Sequence, residues 1–164
     1  ERTGLVGRNG VGKSTLLRLV TGALSPTAGH VTATGTIGVL RQMVDVPPGE
    51  TVADLFGATD GLALLARAEA GEASMDELAE ADWTLEARIL AALTQVGLEA
   101  SPVSPLAAFS GGQRTRAALA AVIFADPDFL LLDEPTNNLD REGREAVRDL
   151  LRGWRKGALV VSHD

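Results

Sequence analysis

The chain has 164 residues, 45% of them hydrophobic and 23% charged, with a formal net charge of −7. This is the composition of one folded domain rather than a disordered segment, and no apolar run approaches the roughly 20 residues of a membrane-spanning helix. The sequence contains no cysteine, which excludes disulfides, zinc–thiolate sites and cysteine nucleophiles.

Acidic charge is concentrated in one stretch of the chain. Residues 43–109 hold 12 acidic residues and two basic ones, Arg67 and Arg88, so this stretch carries −10 while the remainder carries +3. We interpret it as a solvated helical surface. Because phosphates would repel it, we expect no direct nucleic-acid binding through this acidic insert.

The first predicted elements are a strand, a glycine-rich loop and a helix. Thr3 to Val6 forms a short apolar strand, and Lys13 to Val20 has the pattern of a helix. Two further strands are predicted after a turn, at His30 to Ala33 and at Thr36 to Leu40.

Helical patterns dominate the middle of the chain, and strands and helices alternate again after it. Residues 51–98 are rich in Ala, Leu and Glu, which predicts a helical subdomain that ends with a long helix near Leu85 to Val96. The later predicted elements are a helix at Gln113 to Ala125, a strand at Phe129 to Leu132, a helix at Asp140 to Arg152 and a strand at Ala158 to Val161. Such alternation predicts an α/β fold with a mainly parallel sheet flanked by helices.

Residues 7–14, Gly-Arg-Asn-Gly-Val-Gly-Lys-Ser, fit the phosphate-loop pattern of Gly, four residues, and Gly-Lys-Ser. The glycines let the backbone curl so that its N–H groups point inward, and the following helix adds its positive end. Lys13 can reach the phosphates, and the Ser14 hydroxyl can ligate Mg²⁺. A plain glycine-rich turn is the alternative, which the preceding strand and following helix disfavour. The predicted nucleotide-binding residues are Gly7, Asn9, Gly10, Gly12, Lys13, Ser14 and Thr15.

A second group of polar residues ends the predicted strand Phe129 to Leu132. Asp133 follows directly and can hold Mg²⁺, mostly through water, while Glu134 can polarise a water for attack on the terminal phosphate. One of these carboxylates could instead cap a following turn. Two adjacent carboxylates at the end of a buried strand are costly without a cation, which favours the functional interpretation.

Three other features are uninformative when taken singly. Ser110, before a helix, indicates an N-cap, and the glycines after it allow close approach by a ligand. Gln42 after a strand, or His163 near the end of one, is more often structural than catalytic.

Taken together and in order, these motifs resemble the ATP-binding cassette (ABC) ATPases. The resemblance covers essentially the whole chain and is carried by Gly7 to Ser14, Gln42, Ser110, Gly111, Gly112, Gln113, Leu130 to Glu134, Asn138, Leu139, Asp140 and His163. It implies a P-loop ATPase core formed by residues 1–42 and 110–164. It also implies an inserted helical subdomain, residues 43–109, with the signature loop (Ser110, Gly111, Gly112 and Gln113) at its end.

The resemblance also implies roles for the matched residues. Ser110 and Gly112 of the signature loop would contact the γ-phosphate of ATP held by a facing cassette, and Asp140 would lie at the dimer seam. Gln42 would sense Mg²⁺ and the attacking water, and His163 would hydrogen-bond the γ-phosphate. The implied catalytic residues are Glu134, His163 and Gln42, and the implied metal ligands are Ser14, Gln42 and Asp133.

Residues 134–140, Glu-Pro-Thr-Asn-Asn-Leu-Asp, are similar to the ABC-F subfamily, whose members carry two cassettes in one chain without a membrane span. These proteins act on ribosomes, as translation factors or as protectors against antibiotics. The resemblance therefore implies a cytoplasmic ATPase that uses ATP and Mg²⁺. Its partners would be a second cassette and, through regions outside this chain, the ribosome.

Two alternatives remain open. The same cassette could be the ATP-binding subunit of a membrane exporter. It could also be a clamp that binds ATP without useful hydrolysis, although the presence of both Glu134 and His163 disfavours a clamp.

Because the chain begins and ends inside apolar runs, we expect it to be a fragment of one cassette. The family stacks adenine on an aromatic residue just upstream of the phosphate loop, where only Glu1 to Val6 precede it. Loss of a base-stacking contact of about 1–3 kcal/mol should weaken ATP affinity by roughly tenfold or more. Residues 1–164 alone should thus bind ATP weakly and hydrolyse it poorly. Micromolar or tighter affinity in calorimetry would contradict this prediction.

Overall fold

A computed structural model describes residues 2–8, 10–40, 46–136 and 139–162. The chain divides into two compact units, which we name the sheet unit (Glu1–Arg41 with Asp126–Asp164) and the helical unit (Gln42–Ala125). In the described ranges, no helix combines the length and apolar character needed to cross a membrane.

The helices and strands follow the alternation predicted from the sequence. In chain order they are β1 (Arg2–Val6), α1 (Lys13–Val20), β2 (Ile37–Val39), α2 (Val52–Leu55), α3 (Thr59–Glu69), α4 (Met75–Glu80), α5 (Leu85–Gln95), a 3₁₀ helix (Leu106–Ala108), α6 (Gly111–Ala125), β3 (Phe129–Asp133), α7 (Arg141–Gly153) and β4 (Gly157–Ser162).

The sheet unit contains a parallel sheet in which the described strands have the order β1-β4-β3-β2. The central strand β3 pairs with β2 on one side and β4 on the other, with Leu131 opposite Val39 and Leu159. Because the strands are parallel, β1 and β3 end at the same edge of the sheet, where such folds bind ligands. The predicted fold class, a mainly parallel sheet flanked by helices, is confirmed.

The core of the sheet unit forms around β3. Leu130, Leu131 and Leu132 are fully buried, as expected for a parallel strand covered on both faces. Leu17 of α1 packs with Leu131 and with Val161 of β4. Each buried leucine contributes about 1.5–3 kcal/mol by leaving water, so α1 and the loop before it are held firmly on the sheet.

One predicted strand is wrong, and another is shorter than predicted. Residues His30 to Ala33 form no strand, since they are exposed and no strand among the described residues pairs with them. A β-strand requires a hydrogen-bonded neighbour, which the apolar pattern alone does not supply. The strand predicted at Thr36 to Leu40 is reduced to β2.

The helical unit contains α2 to α6 and the 3₁₀ helix, around a core that includes Val52, Ile89 and Leu119. Helix α6 belongs to this unit because it packs against α5 and α2. The boundaries of these compact units are not those of the predicted domains, a core of residues 1–42 and 110–164 with an insert of residues 43–109, which stay a prediction.

A hydrogen-bonded pair, Thr36 and Asp128, joins the starts of β2 and β3. The Asp128 carboxylate accepts from the Thr36 backbone N–H at 2.9 Å and from its hydroxyl at 3.0 Å, and that hydroxyl accepts from the Asp128 N–H at 3.0 Å. The bonds from Thr36 lower the pKa of Asp128, and the charge of Lys156 lowers it further. Gly35 (φ 90°) is required beside them, because a Cβ there would lie 2.8 Å from Asp128 Oδ2.

We predict that Asp128→Asn lowers the melting temperature at neutral pH. Since the hydrogen bonds from Thr36 hold the pKa of Asp128 below its ordinary value, its ionised form stabilises the fold above the unfolded pKa. This contribution disappears as pH falls through the folded pKa. The difference between wild type and variant should hold from neutral pH to about pH 5 and shrink below it.

Asp149→Asn is the matched control, because Asp149 forms an exposed surface pair with Arg152 that should contribute little. A melting-temperature difference for Asp128→Asn that stayed constant down to pH 3, or that equalled the control's, would contradict the role given to the Thr36–Asp128 pair.

Candidate functional site

A cavity of about 310 Å³ opens in the sheet unit at the carboxyl ends of β1 and β3. The loop after β1, the first turn of α1 and the end of β3 all contribute to its lining. The lining residues are Gly10, Gly12, Lys13, Ser14, Thr15, Asp133 and Glu134. The sequence predicted a functional role for each of the seven, and the structure places them around one cavity.

The loop before α1 curls because two glycines take a left-handed conformation. Gly10 has φ 85° and Gly12 has φ 102°, values that strain residues with a side chain. Gly12 occupies the N-cap position of α1, and a glycine has no side chain with which to cap the helix. The first N–H groups of α1 are thus left for a ligand, and the positive helix end favours an anion.

Lys13 reaches back across this loop. Its ammonium group donates to the Gly7 carbonyl and, at 3.2 Å, to the Arg8 carbonyl. An ammonium has three donors and binds carbonyl and phosphate oxygens alike. Lys13 therefore stabilises the curled loop, and the same reach suits a phosphate chain lying along it.

The Ser14 hydroxyl donates to Asp133 Oδ2 at 2.9 Å. This bond joins the first turn of α1 to the end of β3 and brings two oxygens to one point. Hydroxyl and carboxylate oxygens suit Mg²⁺, which typically binds to one or two protein carboxylates and completes its shell with water and phosphate. In the described ranges no cluster of three or more His, Asp or Glu side chains could hold a metal.

Glu134 has a left-handed backbone conformation, with φ 47°. Its N–H donates to the Val161 carbonyl of β4 at 2.9 Å, which fixes the turn where β3 ends. A non-glycine residue in this region stores about 1–3 kcal/mol, and such strain concentrates at functional sites. Asp133 and Glu134 both line the cavity, and the left-handed turn begins at the second of the two acids.

The signature loop belongs to the helical unit, and a reciprocal capping box stabilises it. Ser110 Oγ accepts from the Gln113 N–H at 3.2 Å, and the Gln113 side chain accepts from the Ser110 N–H at 2.9 Å. The predicted N-cap role of Ser110 is confirmed. A hydroxyl that accepts one hydrogen bond can still donate another, so Ser110 can also contact a ligand. The capping role of Gln113, which was predicted only as a signature-loop residue, was missed, although the Ser-x-x-Gln spacing indicates it.

Asp140 caps helix α7. Its Oδ1 accepts from the Gly143 N–H at 2.7 Å, and Arg144 donates to the preceding Leu139 carbonyl at 2.9 Å. A Cβ at position 143 would lie 3.1 Å from that Oδ1, so the small residue keeps the cap tight. The role of Asp140 at a dimer seam stays a prediction.

Three predicted site residues, Asn9, Gln42 and His163, lie outside the described residues. Gly7 contributes its carbonyl to Lys13, and Gly111 has open space around it. The roles assigned to these residues stay predictions.

Residues 1–137 match the profile of a family described as "ABC transporter". The whole chain is 40% identical, over 190 aligned residues, to the tylosin resistance ATP-binding protein TlrC of Streptomyces fradiae, of which it covers 35%. It is 38% identical, over 185 residues, to ATP-binding cassette sub-family F member 3 of Rattus norvegicus, of which it covers 25%. The chain thus spans about a third and a quarter of these two curated relatives.

Among solved structures, the chain is similar to one of a complex between the archaeal ribosomal stalk protein aP1 and the archaeal ribosome recycling factor aABCE1. The TM-score is 0.64 at 31% identity, and the match covers 100% of this chain and 29% of the other.

We predict that Lys13→Ala in the full-length protein weakens ATP binding and leaves the fold intact. Hydrogen bonds to charged groups contribute about 1.5–3 kcal/mol, so affinity should fall by roughly tenfold to a hundredfold or more. Calorimetry measures the affinity, and circular dichroism verifies the fold.

Lys156→Ala is the matched control, since Lys156, the other lysine of the chain, pairs with Asp126 just before β4. Equal ATP affinity in the two variants, or unfolding of Lys13→Ala alone, would contradict the phosphate-loop assignment.

Proposed function

We propose that this chain, which belongs to the ABC transporter family, binds ATP with Mg²⁺ and hydrolyses it when a second cassette closes over the site. The observation that carries the proposal is the cavity where the curled loop, Lys13, the Ser14–Asp133 pair and Glu134 meet. A triphosphate offers the negative charge that the α1 terminus and Lys13 favour.

The site residues would bind different parts of the triphosphate. The loop N–H groups and Lys13 would hold and orient the phosphates in place of water. Ser14 and Asp133, with Gln42 as the third ligand, would hold Mg²⁺. Bound there, the ion would offset charge that develops on the transferring phosphoryl group.

Glu134 would act as the general base. Its carboxylate would accept a proton from the water that attacks the γ-phosphate. The left-handed turn supports this role, because the bond to Val161 fixes the backbone from which the carboxylate extends. His163, which follows β4, would hydrogen-bond the γ-phosphate.

A second cassette would complete the site. Ser110 and Gly112 would contact the γ-phosphate of ATP held by the facing cassette, and Asp140 would lie at the seam between the two. The capping box supports this, because it holds Ser110 in place before any ligand arrives.

We further propose that the full-length protein is an ABC-F protein of the cytoplasm that acts on the ribosome, as a translation factor or in antibiotic resistance. Support comes from residues 134–140 and from the similarity to sub-family F member 3, to a tylosin resistance protein and to a ribosome recycling factor. The second candidate is an ATP-binding subunit of an exporter, which the family description "ABC transporter" favours.

We predict that Glu134→Gln in the full-length protein retains ATP binding and loses hydrolysis. The amide keeps the size of the side chain but cannot accept the proton, and loss of a general base typically slows a reaction by about 10²–10⁴-fold. Asp133 and the phosphate loop remain, so the closed cassettes should trap ATP. Turnover is measured by phosphate release and trapping by retained radiolabelled ATP.

The trapped form should co-sediment with ribosomes and inhibit translation in cells. Glu145→Gln is the control, because Glu145 pairs with Arg141 on the surface of α7. Near-normal turnover in Glu134→Gln would contradict the assignment of Glu134 as the general base. Trapped protein found with membranes and never with ribosomes would favour the exporter instead.

A further inference from the structure

Arg114, in the first turn of α6, connects that helix to the segment before the signature loop. Its Nε donates to the Leu106 carbonyl at 3.1 Å, and its Nη2 donates to the Ala107 carbonyl at 3.1 Å. Both carbonyls belong to the 3₁₀ helix Leu106–Ala108, which ends two residues before Ser110. One guanidinium thus spans the entry and the exit of the signature loop.

The 3₁₀ helix is itself firmly anchored in the helical unit. Leu106 is fully buried, and its N–H donates to the Glu50 carbonyl at 2.9 Å. At the other end of the loop, the capping box fixes Ser110 to the first turn of α6. Arg114 therefore joins α6 to the anchored 3₁₀ helix, and Ser110 lies in the chain between these two helices.

We propose that Arg114 is a positioning residue that presets the signature loop for contact with the nucleotide of the facing cassette; this inference rests on the proposed function. A loop that is already ordered loses little conformational freedom when the cassettes close, so more of the contact energy is available for closure. The planar guanidinium suits this role because its fixed fork directs two donors at adjacent carbonyls.

The geometry distinguishes this role from direct recognition of phosphate. Two of the three guanidinium nitrogens of Arg114 donate to carbonyls of its own unit. Lysine would keep the positive charge but not the fork. If only the positive charge of Arg114 matters, Arg114→Lys should retain ATP hydrolysis. If the two hydrogen bonds matter, Arg114→Lys should lower it.

The test compares Arg114→Lys with Arg116→Lys in the full-length protein. Arg116 lies on the same helix and donates from Nη1 to the Gly97 carbonyl at 3.2 Å, a helix-to-loop bond away from the signature loop. Three quantities are measured below the melting transition: kcat for ATP hydrolysis, ATP affinity of the open form, and amide hydrogen exchange of residues 106–113.

We expect Arg114→Lys to lower kcat by roughly tenfold to a hundredfold, the effect of small misplacement in a preorganised site. ATP affinity should stay unchanged, because the phosphate loop is untouched, and amide exchange in residues 106–113 should accelerate. Arg116→Lys should leave kcat and the amide exchange of residues 106–113 unchanged, even if it lowers the melting temperature as much as Arg114→Lys does.

Unchanged exchange in residues 106–113 of Arg114→Lys would overturn the inference, whether or not the wild type hydrolyses ATP. Unchanged kcat despite faster exchange would also overturn it. A wild type that binds no ATP would refute the proposed function instead, while the exchange comparison would still decide whether Arg114 holds the loop.

Discussion

The hydrogen bond between Ser14 and Asp133 joins two parts of the chain on which the whole site depends. It exists because β1 and β3 are parallel strands whose carboxyl ends lie at one edge of the sheet. The buried leucines of β3 and Leu17 of α1 hold those ends in register. Without this convergence, the phosphate loop and the acidic pair would be unrelated segments.

In the proposed function, each unit would contribute a different set of polar groups to the site. In the sheet unit, Gly12 offers no capping side chain at the start of α1. The hydrogen bond to Val161 holds Glu134 in its strained backbone conformation. In the helical unit, the capping box and Arg114 leave little freedom to Ser110. Both arrangements hold polar groups at fixed positions before a ligand arrives, which is how such sites gain rate and specificity.

Features that depend on neighbouring residues could be predicted from the sequence. Features that depend on contacts between distant residues could not. The apolar run before Asp133 predicted the central strand, and Gly-x-x-x-x-Gly-Lys-Ser predicted the curled loop, because both depend on neighbouring residues. The strand at His30 to Ala33 was predicted wrongly, since its pattern said nothing about a pairing partner. The left-handed turn at Glu134 and the hydrogen bonds of Arg114 were not predicted. The first depends on a carbonyl of β4, and the second on two carbonyls of the 3₁₀ helix.

In the proposed site, the Ser14–Asp133 pair would hold a cation only when phosphate is bound beside it. The most direct measurement is an electron paramagnetic resonance titration of Mn²⁺, in place of Mg²⁺, into the full-length protein with and without a non-hydrolysable ATP analogue. We expect tight Mn²⁺ binding only with nucleotide, weakened by Ser14→Ala by about tenfold or more, which corresponds to roughly 1.4 kcal/mol. Equal Mn²⁺ affinity in wild type and Ser14→Ala, or tight binding without nucleotide, would contradict it.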